Sequence, residues 1–175
     1  MIRSFNGKTP RIAESAFVSE AAYIVGDVEI GENSSVWPGA IIRGDLGQIK
    51  IGRNTTIEDN CVIHSGSPNQ PPITDVTIGD NVIIGHGAVS NGRKIGHNVI
   101  IGINSSILHD AEIGDYSIIA AGCIVTEKMI VPEKSFVVGV PAKIKGKLSP
   151  EQMWWSENSP KIYQDLARQY KRAGL

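Results

Sequence analysis

A six-residue beat governs this chain. Ile12, Val18, Ile24, Ile30, Val36 and Ile42 fall at every sixth position. The beat resumes at Ile51, Ile57 and Ile63, and again at Ile78 and Ile84. It then runs from Ile95 through Ile101, Ile107, Ile113, Ile119, Val125 and Val131 to Val137. A small or compact residue follows an anchor by four positions, as at Ala40, Cys61, Ala88, Ser105 and Cys123. A glycine often follows by one, as at Gly31, Gly52, Gly85 and Gly102. A hexapeptide period is the signature of a parallel β-helix. Three hexads close one coil, and each coil buries its anchors against its neighbours, so the core is a column. The expected class is mainly β, with a helical tail at the C-terminus.

Composition narrows the partners. The 175 residues fit one domain, and the formal charge of −1 comes with no basic block or stripe. That pattern argues against nucleic acid. The first ten residues lack an apolar run and no segment approaches a membrane span, so no membrane contact and a cytoplasmic location are expected. Cys61 and Cys123 both take the inward small position of their hexads, three coils apart. At ~4.8 Å per coil they are too distant to bond, and two buried thiols are expected.

The interruptions of the beat carry as much information as the beat. Ile42 to Ile51 is nine residues, which places a bulge at Gly44–Gln48. Ile63 to Ile78 is fifteen, and the proline- and glycine-rich stretch between them predicts a surface loop over about 65–76. Ile84 to Ile95 is eleven, so the Ser90–Lys94 hexad has lost a residue. The β-helix is expected over 1–145, with a lead-in over 1–10 and repeats over 11–140. A helical segment at 149–173 should pack on it. Ser149-Pro150-Glu151-Gln152 reads as an N-cap, a proline at the first position and a capping-box partner. Ser159-Pro160 repeats the signal and predicts a break. Tyr163, Leu166, Ala167 and Tyr170 make one apolar face.

Three hexads per coil also predict which side chains stack. On the third face, the residues just after the anchors are Arg43, His64 and Asn91 in successive coils. On the second face, two residues after the anchors, Asp59 stacks on His86. Side chains on two outer walls of one prism diverge. His64 and His86 share a ligand only if a neighbour brings its second face against this third face, and threefold closure of that contact makes a homotrimer. His97 and His109 lie at the outward second position after their anchors and read as solvated side chains.

Several segments together resemble the γ-class carbonic anhydrase family. They are Trp37-Pro38-Gly39, Ile42-Arg43-Gly44-Asp45, Asp59-Asn60-Cys61-Val62-Ile63-His64, Ile84-Gly85-His86-Gly87-Ala88-Val89 and Gly139-Val140-Pro141-Ala142-Lys143. The resemblance implies a left-handed β-helix, an exception to right-handed crossovers. It implies a homotrimer with a zinc ion, or another divalent metal, at each subunit interface. The ligands it implies are His64, His86 of the neighbour, and a residue at the position of Asn91, where the family has a third histidine. Arg43 and Asp45 match an interface ion pair. Glu58-Asp59 match a pocket pair that positions the nucleophile, with Glu58 in place of a glutamine, and Tyr163 matches a tyrosine that reaches the pocket. The implied reaction is reversible hydration of CO2 to bicarbonate. An amide oxygen is a harder and weaker zinc donor than imidazole, so Asn91 lowers the expected affinity, and Glu58 compensates in part only if its carboxylate turns towards the site. The alternatives are a hexapeptide-repeat acyltransferase or CoA-thioester hydrolase, with His97 or His109 as the spare base, and a non-catalytic assembly subunit.

Overall fold

The computed structural model describes residues 1–66 and 75–175. The chain is a mainly β parallel solenoid of about seven turns with one C-terminal helix. Short strands repeat around three walls. On the second wall Phe17–Val18, Ser35–Val36, Thr56–Ile57, Ile83–Ile84, Ile100–Ile101 and Ile118–Ile119 stack in parallel. The first and third walls join into one sheet through two long strands, Tyr23–Ile30 and Ile41–Ile51, which bend round the corner between them. The lead-in is part of the structure, since Ile2–Arg3 pairs in parallel with Ile24–Val25.

The anchors form the column that the six-residue beat requires. Ile24, Ile42, Ile57, Ile63, Ile84, Ile101 and Ile119 have no exposed surface and belong to one cluster, with Cys61 and Cys123 among them. Each such isoleucine contributes roughly 1.5–3 kcal/mol through burial. Both cysteines are free and buried. Burial pushes the Cys61 thiol up to about 12, and its Sγ–H points at the Gly85 carbonyl oxygen, 3.1 Å away.

The corners show a rule beyond the anchors. Asn33, Asn54, Asn60, Asn81, Asn98, Asn104 and Asp110 each lie three residues after an anchor, and each has positive φ. Asparagine tolerates the left-handed region better than other side chains, which is why it recurs where every wall turns into the next. Gly39 and Gly87 take the same place on the second wall.

The bulge at Gly44–Gln48 is present as a register shift. Arg43 and Gly44 pair with Val25 and Gly26, and pairing resumes at Ile49 with Val28. Strand Val62–His64 ends where the expected loop over 65–76 begins. Ser65 and Gly66 are buried, Val76 opens the strand Val76–Ile78, and 67–74 lie outside the described residues.

The tail corrects one expectation. Helix α1 runs unbroken over Pro150–Ala173, with Pro160 inside it. The Ser149 cap and its reciprocal bonds with Gln152 form as expected. Ser159 starts no new helix, because its hydroxyl donates to the Trp155 carbonyl oxygen one turn back at 2.7 Å. The helix starts beyond the antiparallel strand Lys143–Lys147 at one end of the solenoid. It ends where Lys171 Nζ donates to the carbonyl oxygen of Glu14 at the other. Twenty-four residues at ~1.5 Å each match seven coils at ~4.8 Å each. Its apolar face covers the second wall, where Tyr163, Leu166, Ala167 and Tyr170 bury Phe17 and Trp37.

A column of stacked anchors makes stability sensitive to any single core residue. Ile101→Ala should lower unfolding free energy by about 2–5 kcal/mol, whereas Ile130→Ala, 70% exposed, should change it by less than about 0.5 kcal/mol. Urea denaturation of both variants checks this, and equal losses would contradict the column as the source of stability.

Candidate functional site

The third wall carries the first cluster. Arg43 pairs in register with His64. Ser90 pairs with Ile63, which puts Asn91 beside His64 in the next coil. The Asn91 amide donates to the His64 carbonyl oxygen at 3.4 Å. His64 Nε2 lies 2.9 Å from Asp45 Oδ1 and 3.1 Å from Arg43 Nη2. It satisfies one of them at a time, since it donates to the carboxylate with a proton and accepts from the guanidinium with a lone pair. Arg43 and Asp45 are themselves 3.4 Å apart.

The bulge is what turns Asp45 towards His64, and close backbone approach shapes it. A Cβ on Gly26, where φ is +84°, would stand 2.3 Å from the Gly44 carbonyl oxygen, so neither chain has room for a side chain there. Ser65 pins the bulge from the next coil. Its hydroxyl accepts from the Gly47 N–H at 3.0 Å and donates to the Arg43 carbonyl oxygen at 3.3 Å. Sequence reasoning passed over Ser65, although its position directly after His64 was a signal.

The second wall carries the other cluster. Ile57 pairs with Ile84, so Asp59 stacks on His86. His86 Nδ1 is 2.9 Å from Asp59 Oδ2. Glu58 Oε2 accepts from the His86 backbone N–H at 2.8 Å and lies 3.1 Å from His86 Nε2. Glu58 is buried, while the His86 ring is half exposed. Tyr163 descends from α1 onto this cluster. Burial raises its phenol above the ordinary range, and a hydrogen bond to Glu58 and the negative charges of Glu58 and Asp59 raise it further.

Eight predicted residues thus fall into two groups on different walls. Arg43, Asp45, His64 and Asn91 form one, and Glu58, Asp59, His86 and Tyr163 the other. Among the described residues of a single chain, no group of three or more histidine, cysteine, aspartate or glutamate side chains could hold a metal. Arg43 and Asp45, matched by the resemblance to an interface ion pair, lie 3.4 Å apart in the single chain. His97 is more than a solvated side chain, because its Nδ1 accepts from the Asp80 N–H at 3.0 Å and braces a corner.

The donor chemistry of the second-wall half fits a metal ligand. A ligating histidine usually gives its second ring nitrogen to a carboxylate or carbonyl, which fixes the tautomer and orients the ring. Asp59 does this for His86 Nδ1, leaving Nε2 as the donor atom.

Over 171 residues the chain is 37% identical to a carbonic anhydrase of Geobacillus kaustophilus, covering 98% of this chain and 91% of that one. The chain belongs to the γ-carbonic anhydrase-like family of hexapeptide-repeat proteins. Other members of the family's neighbourhood carry other names. The carnitine operon protein CaiE of Escherichia coli K12 is 34% identical over 163 residues, 93% of this chain and 81% of that one. A solved hexapeptide transferase family protein of Anaplasma phagocytophilum superposes with a TM-score of 0.90 at 33% identity, covering 97% of each chain. The model "Bacterial transferase hexapeptide (six repeats)" matches residues 94–127. In this γ-carbonic anhydrase-like chain, no helix of the described residues is long and apolar enough to cross a membrane.

Tyr163 gives a pH signature. A phenol raised in the folded state keeps its proton after the unfolded chain has lost it. Its stabilising effect is complete below about pH 10 and is lost as pH rises towards the folded value. The urea midpoint should therefore fall above about pH 10, and Tyr163→Phe should flatten that fall relative to the native chain. Identical slopes for the two proteins would mean that the phenol is not held by Glu58 and burial.

Proposed function

We propose that this protein is a homotrimer that holds a divalent metal, zinc in the first place, at each subunit interface, and that it hydrates carbon dioxide there. The observation that carries this reading is the division of the site. Two imidazoles, each with a carboxylate at hydrogen-bond distance, stand on two walls that diverge within one chain. A neighbour that sets its second wall against this third wall brings them together, and threefold closure repeats the contact without leaving a free half. The carbonic anhydrase relative supports the same chemistry.

On this reading the residues divide the work. His64 of one subunit and His86 of the next hold the metal. Asp59 fixes the tautomer of His86. Arg43 and Asp45 exchange their partners within the chain for partners across the interface, which frees His64 Nε2. Glu58, Asp59 and Tyr163 line the pocket and hold its polar atoms in place. Zinc, when bound, supplies hydroxide at neutral pH, the reagent that carbon dioxide hydration requires. Asn91 stands where the family has its third imidazole, so zinc should bind this chain more weakly than a three-histidine site.

A second reading, acyl transfer or thioester hydrolysis with a CoA carrier, is supported by the hexapeptide transferase family structure. Acetyl-CoA binding in the absence of metal, measured by calorimetry, would favour it. A scaffold role is favoured if neither metal nor CoA binds.

Two outcomes test the metal reading. Light scattering should give three times the 18.8 kDa chain. Asp45→Ala should weaken the assembly by roughly 3–5 kcal/mol for each desolvated pair it breaks. A monomer in the native protein would refute the shared site. Asn91→His should tighten zinc at least about tenfold by adding an imidazole donor and should raise the hydration rate in stopped-flow assays. A further His64→Ala change should abolish both gains.

A further inference from the structure

The atom facing His86 Nε2 is a carboxylate oxygen. Asp59 already takes the Nδ1 side of the ring at 2.9 Å, so Nε2 is the free donor, and Glu58 Oε2 stands 3.1 Å from it. A lone-pair nitrogen and a carboxylate oxygen at that separation repel each other unless a positive charge lies between them, either a proton or a metal cation. Two ligand atoms on one tetrahedral zinc, each bonded at about 2.0–2.1 Å, are themselves about 3.3 Å apart. The gap between Nε2 and Oε2 is therefore already close to the span of two zinc ligands.

We propose that Glu58, rather than Asn91, supplies the third protein ligand of the interface metal. The donor set is then His64 of one subunit with His86 and Glu58 of the next. The proposal rests on the shared-site reading above. Two imidazoles and one glutamate are an established catalytic zinc set, and the same set suits iron(II).

Three observations favour Glu58 over its competitors. The Asn91 amide nitrogen donates to the His64 carbonyl oxygen, and the amide oxygen left for a metal is a poor zinc donor. Asp45, the carboxylate beside the His64 imidazole, is 3.4 Å from the Arg43 guanidinium within the chain and keeps an arginine partner across the interface in the proposed assembly. Among the described residues no lysine or arginine pairs with Glu58, and the group nearest its carboxylate is the His86 ring. Glu58 is also held in place. The His86 backbone N–H donates to it, as an outer-shell partner donates to a ligating carboxylate, and the Tyr163 phenol lies against it.

The experiment is zinc titration of the full chain against a chromophoric chelator, with melting temperature in zinc and in EDTA as a second readout. Glu58→Gln keeps the size and an acceptor oxygen, so melting in EDTA should match the native chain. Its zinc affinity should fall by more than the roughly 10–100-fold typical of an outer-shell loss, and the melting gain in zinc should vanish. Asn91→Ala should cost less zinc affinity than Glu58→Gln, because it removes no ligating atom. Affinity retained in Glu58→Gln but lost in His64→Ala would overturn Glu58 as ligand while leaving the shared site standing. Zinc binding lost in Asn91→Ala and kept in Glu58→Gln would return the third position to Asn91. A native chain that binds no zinc would overturn both readings.

Discussion

Everything in this molecule is positioned by the stacking of one aliphatic side chain on the next. Each wall presents an isoleucine or valine every sixth residue, and parallel pairing puts each directly against its equivalent in the adjoining coil. Because the anchors point inward, the register of the outward residues is decided with them. A one-residue slip would expose the core and bury the polar surface, so the register has little freedom. The site inherits that rigidity. His64 follows Ile63, and His86 lies two residues beyond Ile84, so both ride on the most deeply buried residues of the chain.

Function is concentrated where the beat fails. The extra residues between Ile42 and Ile51 carry Asp45 out to His64. The stretch after Ile63 supplies Ser65, which pins that bulge from the next coil. Each departure costs the repeat some regularity and gives a polar side chain a position that an unbroken hexad would not. Helix α1 adds what a solenoid wall lacks, a cover that excludes water from Glu58 and brings a phenol to it.

The substitutions that distinguish this chain from the pattern it resembles belong to one site in the proposed assembly. An amide stands at the third histidine position, and a carboxylate stands at the glutamine position beside the second. Read singly, the first weakens a metal site and the second disturbs a pocket. Read together, they move one donor from one wall to the other.

Much of this was legible in the residues alone. The six-residue period dictated the walls, and counting along them placed Arg43, His64 and Asn91 in one column and Asp59 against His86, because parallel stacking has a single register. The buried thiols, the capping box and the apolar face of the tail were equally local facts. The asparagines that recur at the corners were visible too, three residues after their anchors. What sequence could not decide were matters of distance. Whether Ser159-Pro160 starts a helix or merely sits in one depended on a hydroxyl bonding one turn back. Whether Arg43 and Asp45 pair within the chain depended on the path of a bulge shaped by the contact of Gly26 with Gly44. That Glu58 faces the free nitrogen of His86 depended on burial under Tyr163. Periodicity assigns each side chain to a wall, because backbone pairing repeats. The direction in which a polar side chain finally points is set by neighbours far away in sequence, and only the folded chain brings those neighbours within reach.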